Sequence, residues 1–315
     1  MGCSVASIHE NKPALRTVDL FSGCGGMSLG FQNAGFQLVG AFDNWQPAID
    51  VYKDNFETPV FKRDLSDATI AHEVMELHPD IIIGGPPCQD FSQAGKRSED
   101  GGRAILTVRY GEIISECLPK IIVMENVPRV RNSKAMAQIR SMLKDSGYGL
   151  SGCVLDASRC GVPQARKRFI LVGCLHAPDG FLDDALQAGL STNRMTIRDY
   201  LGDSLGIEYY FRIPRSYDRR AIFSIDEPSM TIRGVDRPIP PNYKQHPNDA
   251  CDVSEVRCLT PKERSLIQTF PSSFKLSGSK TNINQMIGNA VPVKMAEYVA
   301  RAVLDYLGKD SHEMR

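Results

Sequence analysis

The 315 residues contain no Cys-x-x-Cys pair, and the nine cysteines (positions 3, 24, 88, 117, 153, 160, 174, 251 and 258) are odd in number and irregular in spacing. A disulfide framework and a zinc knuckle are thereby excluded as organising devices; no metal is expected, and a reducing compartment is. No apolar run approaches the roughly 20 residues that span a bilayer. The first residues, Met1-Gly2-Cys3-Ser4, have no basic stretch ahead of an apolar core, so no secretory leader is expected and the location implied is cytoplasmic. Net charge is also missing: 37 Lys and Arg balance 37 Asp and Glu. That argues against a surface that binds nucleic acid all over, but it leaves room for one basic cleft. The six histidines are scattered, and none stands where it would activate a serine or cysteine for proteolysis.

What is present is alternation. Short β-branched runs at Thr17–Phe21, Gln37–Phe42, Asp80–Gly84 and Lys120–Met124 alternate with amphipathic stretches near 27–35, 46–56, 66–78 and 104–118. Apolar strands separated by helices predict an α/β fold with a doubly wound, mostly parallel sheet covered on both faces, its ligands at the carboxyl ends of the strands. Two further strands are expected near 148–156 and 167–174. From about 176 the periodicity fades and Pro, Gly, Arg and Tyr accumulate; helical patterning returns at 260–268 and 285–307. The expected organisation is a catalytic, cofactor-binding domain of 1–175 plus 281–315, with a smaller irregular domain inserted at 176–280.

After the first strand comes Asp19-Leu-Phe-Ser-Gly-Cys-Gly-Gly-Met-Ser-Leu-Gly30. Glycines between a strand and a helix let a ligand approach the backbone and the helix N-terminus. A dinucleotide fingerprint counted from Gly23 fails at Ser28, which favours a cofactor without a pyrophosphate and argues against a nicotinamide oxidoreductase. Asp43, about 20 residues on, ends the second strand where an acid accepts from ribose hydroxyls. Asp64, after the next short strand, suits an adenine amino group.

Gly84-Gly-Pro-Pro-Cys-Gln-Asp-Phe-Ser92 directly follows an apolar strand. Two prolines stiffen the backbone ahead of Cys88, and a thiol there, beside a cofactor turn, suits a nucleophile. The strand 121–124 ends in Glu125, and adjacent strand ends would bring that acid near Cys88. A thiolate and an acid suit addition to a pyrimidine: sulfur at C6, carboxyl at N3, leaving an enamine nucleophilic at C5. A zinc deaminase would need Pro-Cys-x-x-Cys, and after Pro87-Cys88 the second cysteine is absent.

With Asp19–Gly30, Gly85-Pro-Pro-Cys-Gln89, Glu125-Asn-Val127, Gln164-Ala-Arg-Lys-Arg168, Arg257–Glu263, Gln268-Thr-Phe-Pro271 and Gln285–Pro292 in this order, the sequence resembles the DNA (cytosine-5) methyltransferase family of bacterial restriction–modification systems along nearly its whole length. The resemblance implies a Rossmann-like S-adenosylmethionine-dependent fold and base flipping, with a covalent bond from Cys88 to C6 and Glu125 on N3 and the exocyclic amine. Of Arg166 and Arg168, it places Arg168 on the cytosine O2, with Arg166 nearer a phosphate or the nucleophile. For S-adenosylmethionine it implies Phe21, Ser22, Gly23 and Cys24 along the methionine and ribose, and Gly25 and Gly26 allowing close approach. Asp43 would hold the ribose, and Asn44, Asp64, Leu65, Pro87, Leu106, Asn289 and Ala290 would complete the pocket. Many relatives carry an aromatic directly after the ribose acid; here Asn44 intervenes before Trp45, which leaves stacking by Trp45 open.

The charged segment 93–103 is expected to close as a lid, with Lys96 and Arg97 on phosphates. The inserted region supplies a basic face, and Ser229-Met-Thr-Ile-Arg-Gly234 resembles the family's recognition element, so Thr231, Ile232, Arg233 and Gly234 are expected at DNA, with Arg233 reading a base. The partners implied are duplex DNA carrying a short specific site and, genetically, a restriction endonuclease; the enzyme is expected to act as a monomer in the bacterial cytoplasm, at the nucleoid. Methylation of cytosine in transfer RNA is the rival activity. A catalytically inactive DNA-binding relative would usually have lost Cys88, Glu125 or the arginines.

Overall fold

The computed structural model describes residues 15–87, 104–214, 216, 219, 220 and 221–313; Cys88, Lys96 and Arg97 lie outside the described residues. Its frame is a sheet whose strands read as apolar on both faces. The strands are β1 (Arg16–Leu20), β2 (Gln37–Asp43), β3 (Val60–Lys62), β4 (Ile81–Gly84), β5 (Ile121–Asn126), β6 (Tyr148–Asp156), the two-residue β7 (Gln164–Ala165) and β8 (Lys167–Leu175). Seven of them form one sheet in the order β3-β2-β1-β4-β5-β8-β6. The first five are parallel, and β8 runs antiparallel to both β5 and β6. The mostly parallel, doubly wound sheet expected from the alternation is therefore present.

Period-two alternation sorts the strand residues between two cores. Ile81, Ile83, Ile121 and Val123 pack on one face with Met27 and Phe31 of α1 (Gly26–Asn33). On the other face, Val18, Leu20, Ile82, Ile122 and Met124 meet α3 (Ile70–Glu76), α4 (Ala104–Cys117) and α5 (Lys134–Asp145); α2 (Gln46–Asn55) covers the β2 and β3 side.

Beyond β8 come α6 (Asp183–Ala188), α7 (Ile197–Leu201) and the antiparallel pair β9 (Tyr209–Phe211) and β10 (Ile222–Ser224). Then β11 (Ser229–Met230) lies parallel to β7, and α8 (Pro261–Ile267) follows. Residues 209–258 have a small core of their own around Phe211, Ala221 and Ile222. Leu182, Leu186 and Ile197, however, pack into clusters shared with the sheet and α2, so the apolar packing runs across position 176.

The helical pattern at 285–307 is two helices, α9 (Lys280–Asn289) and α10 (Val293–Glu313). Pro292 cannot continue a helix, and Ala290, at φ −58° and ψ 144°, has already left it. Helix α10 lies against α1, where Gly30 admits it: a Cβ on Gly30 would sit 2.6 Å from Val293 O and 2.5 Å from the Ala296 methyl. The last glycine of the Asp19–Gly30 run thus serves helix packing, which brings the chain's far end back to its beginning. No helix among the described residues is long and apolar enough to cross a membrane.

Candidate active site

The strand order reverses between β1 and β4, and in open α/β sheets the crevice at such a reversal takes the ligand. Leu20 pairs with Gly84, and Gly84 with Met124, so Phe21, Gly85 and Glu125 leave the carboxyl edge side by side. A cavity of about 600 Å³ opens there, within the roughly 300–1,000 Å³ usual for small-molecule sites.

Phe21, Ser22, Gly23, Cys24 and Gly26 line it from the glycine turn. Asp43, Asn44, Asp64 and Leu65 line it from the ends of β2 and β3, Pro87 and Leu106 from either side of the undescribed segment, and Asn289 and Ala290 from the end of α9. Trp45 is in the wall as well. Gly25 is not; its α-carbon faces the Phe56 ring. Phe21 holds φ at 60°, a left-handed conformation uncommon outside glycine and one that clusters at functional sites.

Asp43 organises the turn. Its two carboxylate oxygens accept from the Gly23 and Trp45 amides, each at 2.8 Å, and burial holds its pKa above the usual carboxylate range despite those bonds. Cys24, in the same wall, is buried, which pushes its thiol up to about 12 and makes it a poor nucleophile.

One wall residue to which the sequence reading gave no role of its own is Asp19, the first residue of the Asp19–Gly30 motif. Asp19 is 1 % exposed. Its Oδ2 accepts from Ser28 Oγ at 2.5 Å, and Ser28 Oγ accepts from the Tyr52 hydroxyl at 3.1 Å. Its Oδ1, like the buried Ser22 Oγ, has no hydrogen-bond partner among the described residues. Burial raises the Asp19 pKa to about 7; the Ser28 bond opposes the rise and Asp43 adds to it. Ser28, which broke the dinucleotide fingerprint, is thus the partner of a buried acid.

The sign of the linkage follows. The folded chain binds a proton at Asp19 that the unfolded chain releases near 3.8, so the stabilisation is full below that value and is lost as pH rises through about 7. Asp19→Asn removes the titration. The variant is expected to gain roughly 2–3 kcal/mol relative to the native protein between pH 5 and pH 8, read from urea midpoints at both pH values. A constant difference would place the Asp19 titration outside that window.

At the other side of the cavity, Arg168 Nε lies 2.7 Å from Glu125 Oε1 in an ion pair screened from solvent, and a Cβ on Gly85 would lie 3.3 Å from Glu125 Oε2. Asn126 Nδ2 donates to Pro86 O at 3.2 Å and fastens the Pro-Pro turn to the end of β5. Arg166 sits between β7 and β8, only 2 % exposed; Nη1 donates to Ile232 O and Gly288 O at 3.1 Å, and Nη2 to Ala290 O at 3.2 Å. It borders the cavity, and its guanidinium bonds the backbone carbonyls of 232, 288 and 290.

A family model described as C-5 cytosine-specific DNA methylase matches residues 15–305. The chain belongs to this family. It is 54% identical over 296 residues to the Type II methyltransferase M.HgiDI of Herpetosiphon aurantiacus, covering 94% of this chain and 96% of that one. It is 52% identical over 295 residues to M.HindV of Haemophilus influenzae, covering 93% and 97%. Among solved structures, methyltransferase EhMeth of Entamoeba histolytica aligns with a TM-score of 0.71 at 19% identity, over 95% of this chain and 99% of that one, which speaks for the fold.

In this methylase, the four residues expected at DNA lie away from the cavity. They follow β11, and the Ile232 side chain is buried at 3 % exposure. Arg233 Nη2 donates to Ile213 O at 2.6 Å, and Gly234 packs on Gln285. Met230 and Val235, at the two ends of the segment, are the exposed apolar residues there. Asp19, Asn126 and Gln285 stand inside the motifs Asp19–Gly30, Glu125-Asn-Val127 and Gln285–Pro292, but the sequence reading gave them no role in the wall. A period-two reading of β1, with Asp19 among apolar neighbours, was the available signal for the first.

Proposed function

We propose that this methylase transfers a methyl group from S-adenosylmethionine to C5 of one cytosine, flipped out of duplex DNA at a short specific site, as the modification enzyme of a restriction–modification system. The observation that carries the reading is the buried Glu125–Arg168 ion pair, facing the same cavity as the Pro-Pro turn that leads into Cys88.

The residues present fit the cofactor. Asp43 with the glycine turn suits the ribose, and Trp45, Leu65 and Leu106 offer apolar surface to the adenine. Asp19 Oδ1 and Ser22 Oγ are buried polar atoms that a ligand can satisfy. When bound, S-adenosylmethionine supplies an electrophilic methyl on a cationic sulfonium.

The protein's own part begins at Cys88. Its thiolate adds to C6, forming a C–S bond and moving the ring electrons toward C5. Glu125 holds N3 and the exocyclic amine while that charge shifts, and Arg168, paired to Glu125, offers its remaining N–H donors to the cytosine O2. Arg166 supports the wall behind. Once C5 carries the methyl group, loss of the C5 proton to a base and expulsion of the thiolate restore the aromatic ring. Extruding the base costs a few kcal/mol, and Lys96 and Arg97 on phosphates, with Arg233 reading a base, would offset it. Residues 176–280 carry target recognition on this reading, and 1–175 with 281–315 carry the chemistry. The enzyme acts as a monomer in the bacterial cytoplasm, with a cognate endonuclease as genetic companion.

The test is base-resolution sequencing of 5-methylcytosine in DNA from cells expressing the chain, alongside labelled-methyl incorporation into purified DNA and transfer RNA. Modification at every copy of one short sequence is expected. Label in transfer RNA but not in duplex DNA would overturn the substrate assignment.

A further inference from the structure

Two buried glutamines connect the cofactor wall to the segment assigned to DNA. Gln164 and Gln268 are both 0 % exposed. Gln164 Nε2 donates to Gln268 Oε1 at 2.7 Å, and Gln164 Oε1 accepts from the Ile232 amide at 2.9 Å. Gln268 Nε2 donates to Ile287 O at 2.6 Å and to Ala290 O at 3.1 Å. Arg166 closes the ring, holding Ile232 O on one side and Gly288 O and Ala290 O on the other. Both polar groups of the Ile232 backbone are therefore held by side chains linked to the turn at 287–290, the carbonyl directly by Arg166 and the amide through Gln164 and then Gln268.

The two segments touch directly as well. A Cβ on Gly288 would lie 2.1 Å from Gly234 N, so only glycine lets the backbones meet. The turn so held carries Asn289 and Ala290, which line the cavity; the segment so held carries Arg233 and the exposed Val235. Buried hydrogen bonds of this kind fix position tightly, because a lost partner leaves an unsatisfied group at a cost of about 1–3 kcal/mol. Movement at one end is thus imposed on the other.

We infer that Gln164 and Gln268 are positioning residues for target recognition: through Gln268, Gln164 and Arg166, occupation of the cofactor pocket sets the order of residues 229–234. This rests on the assignment of the cavity to S-adenosylmethionine. A ligand that orders the 287–290 turn prepays the ordering of the recognition segment, which then meets DNA already in place.

The test is amide hydrogen exchange on the whole protein with S-adenosylhomocysteine and no DNA. Exchange at 21–26 and 285–291 should slow by contact, and exchange at 229–234 should slow by about 10-fold, the scale of ordinary coupling between two sites. The β9–β10 pair should not change. In Gln268→Met the slowing at 21–26 should persist while that at 229–234 disappears. A merely structural glutamine would leave the ligand-dependent difference intact. Slowing at 21–26 and 285–291 without slowing at 229–234 in the native protein overturns the inference while sparing the cofactor assignment. No slowing at 21–26 overturns both. The native protein alone decides this if the variant does not fold.

Discussion

Replacing Cys88 with alanine is expected to lower methyl transfer by roughly 10⁶-fold, the scale on which removal of a covalent nucleophile is felt. The side chain is small, and among the described residues Pro86 is fastened by Asn126 and the cavity wall is built from several elements. Cofactor affinity, followed through the fluorescence of Trp45, the chain's one tryptophan, should be unchanged. A trapping experiment separates covalent attack from mere proximity. In DNA carrying 5-fluorocytosine, C5 has fluorine where the proton should leave, so the adduct at C6 cannot be resolved and persists under denaturing conditions. The native protein should form this adduct and Cys88→Ala should not. Cys160→Ala should form it as the native protein does, because burial pushes that thiol up to about 12 and keeps it protonated. An adduct that survives Cys88→Ala would remove Cys88 from the mechanism.

That so much of this site was legible in sequence has a physical reason. In a parallel sheet the reactive groups sit at carboxyl ends, where a strand's apolar run stops. The acids at 43 and 125 and the Gly-Pro-Pro-Cys turn all mark such ends, and the cavity gathers Asp43, Pro87 and Glu125 accordingly. What sequence did not disclose depends on side chains meeting from different elements. The Asp19–Ser28–Tyr52 chain joins β1, α1 and α2, and no spacing rule connects positions 19 and 52. Arg166 and Arg168 stand two apart in one motif, but β7 ends at Ala165 and β8 begins at Lys167, so they enter different surroundings. Ile232 shows the limit of reading a recognition element as a string. Thr231 is anchored through its hydroxyl to Ala165 O at 3.0 Å, Ile232 is held on both sides of its backbone, and only what flanks them is left to face outward. The pattern at 285–307 reads as one helical stretch, yet Pro292 cannot continue a helix, and the segment divides into α9 and α10.

Glu125→Gln is expected to lower kcat by about 10²–10⁴-fold, the usual contribution of a positioned acid or base. The substitution keeps the shape of the side chain and removes its charge. Two effects then have to be separated. The first is chemical: an amide at position 125 can present either an N–H or a carbonyl to the cytosine N3, but it cannot move a proton there. The second is structural, because Arg168 loses the carboxylate 2.7 Å from its Nε, and breaking a buried ion pair from one side costs about 3–5 kcal/mol. Stability therefore falls together with rate, and a urea midpoint alone would not distinguish the roles. The split between kinetic constants does. If Glu125 serves the addition step, kcat drops while cofactor affinity holds and the 5-fluorocytosine adduct forms more slowly. If it serves only as the counterion of Arg168, Arg168→Met combined with Glu125→Gln should restore much of the lost stability, since replacing both partners of a buried pair by uncharged groups is often neutral, and Glu125→Gln should slow adduct formation no more than Arg168→Met does. Recovery of stability without recovery of kcat is the expected result, because the double variant lacks both the carboxyl at N3 and the guanidinium at O2.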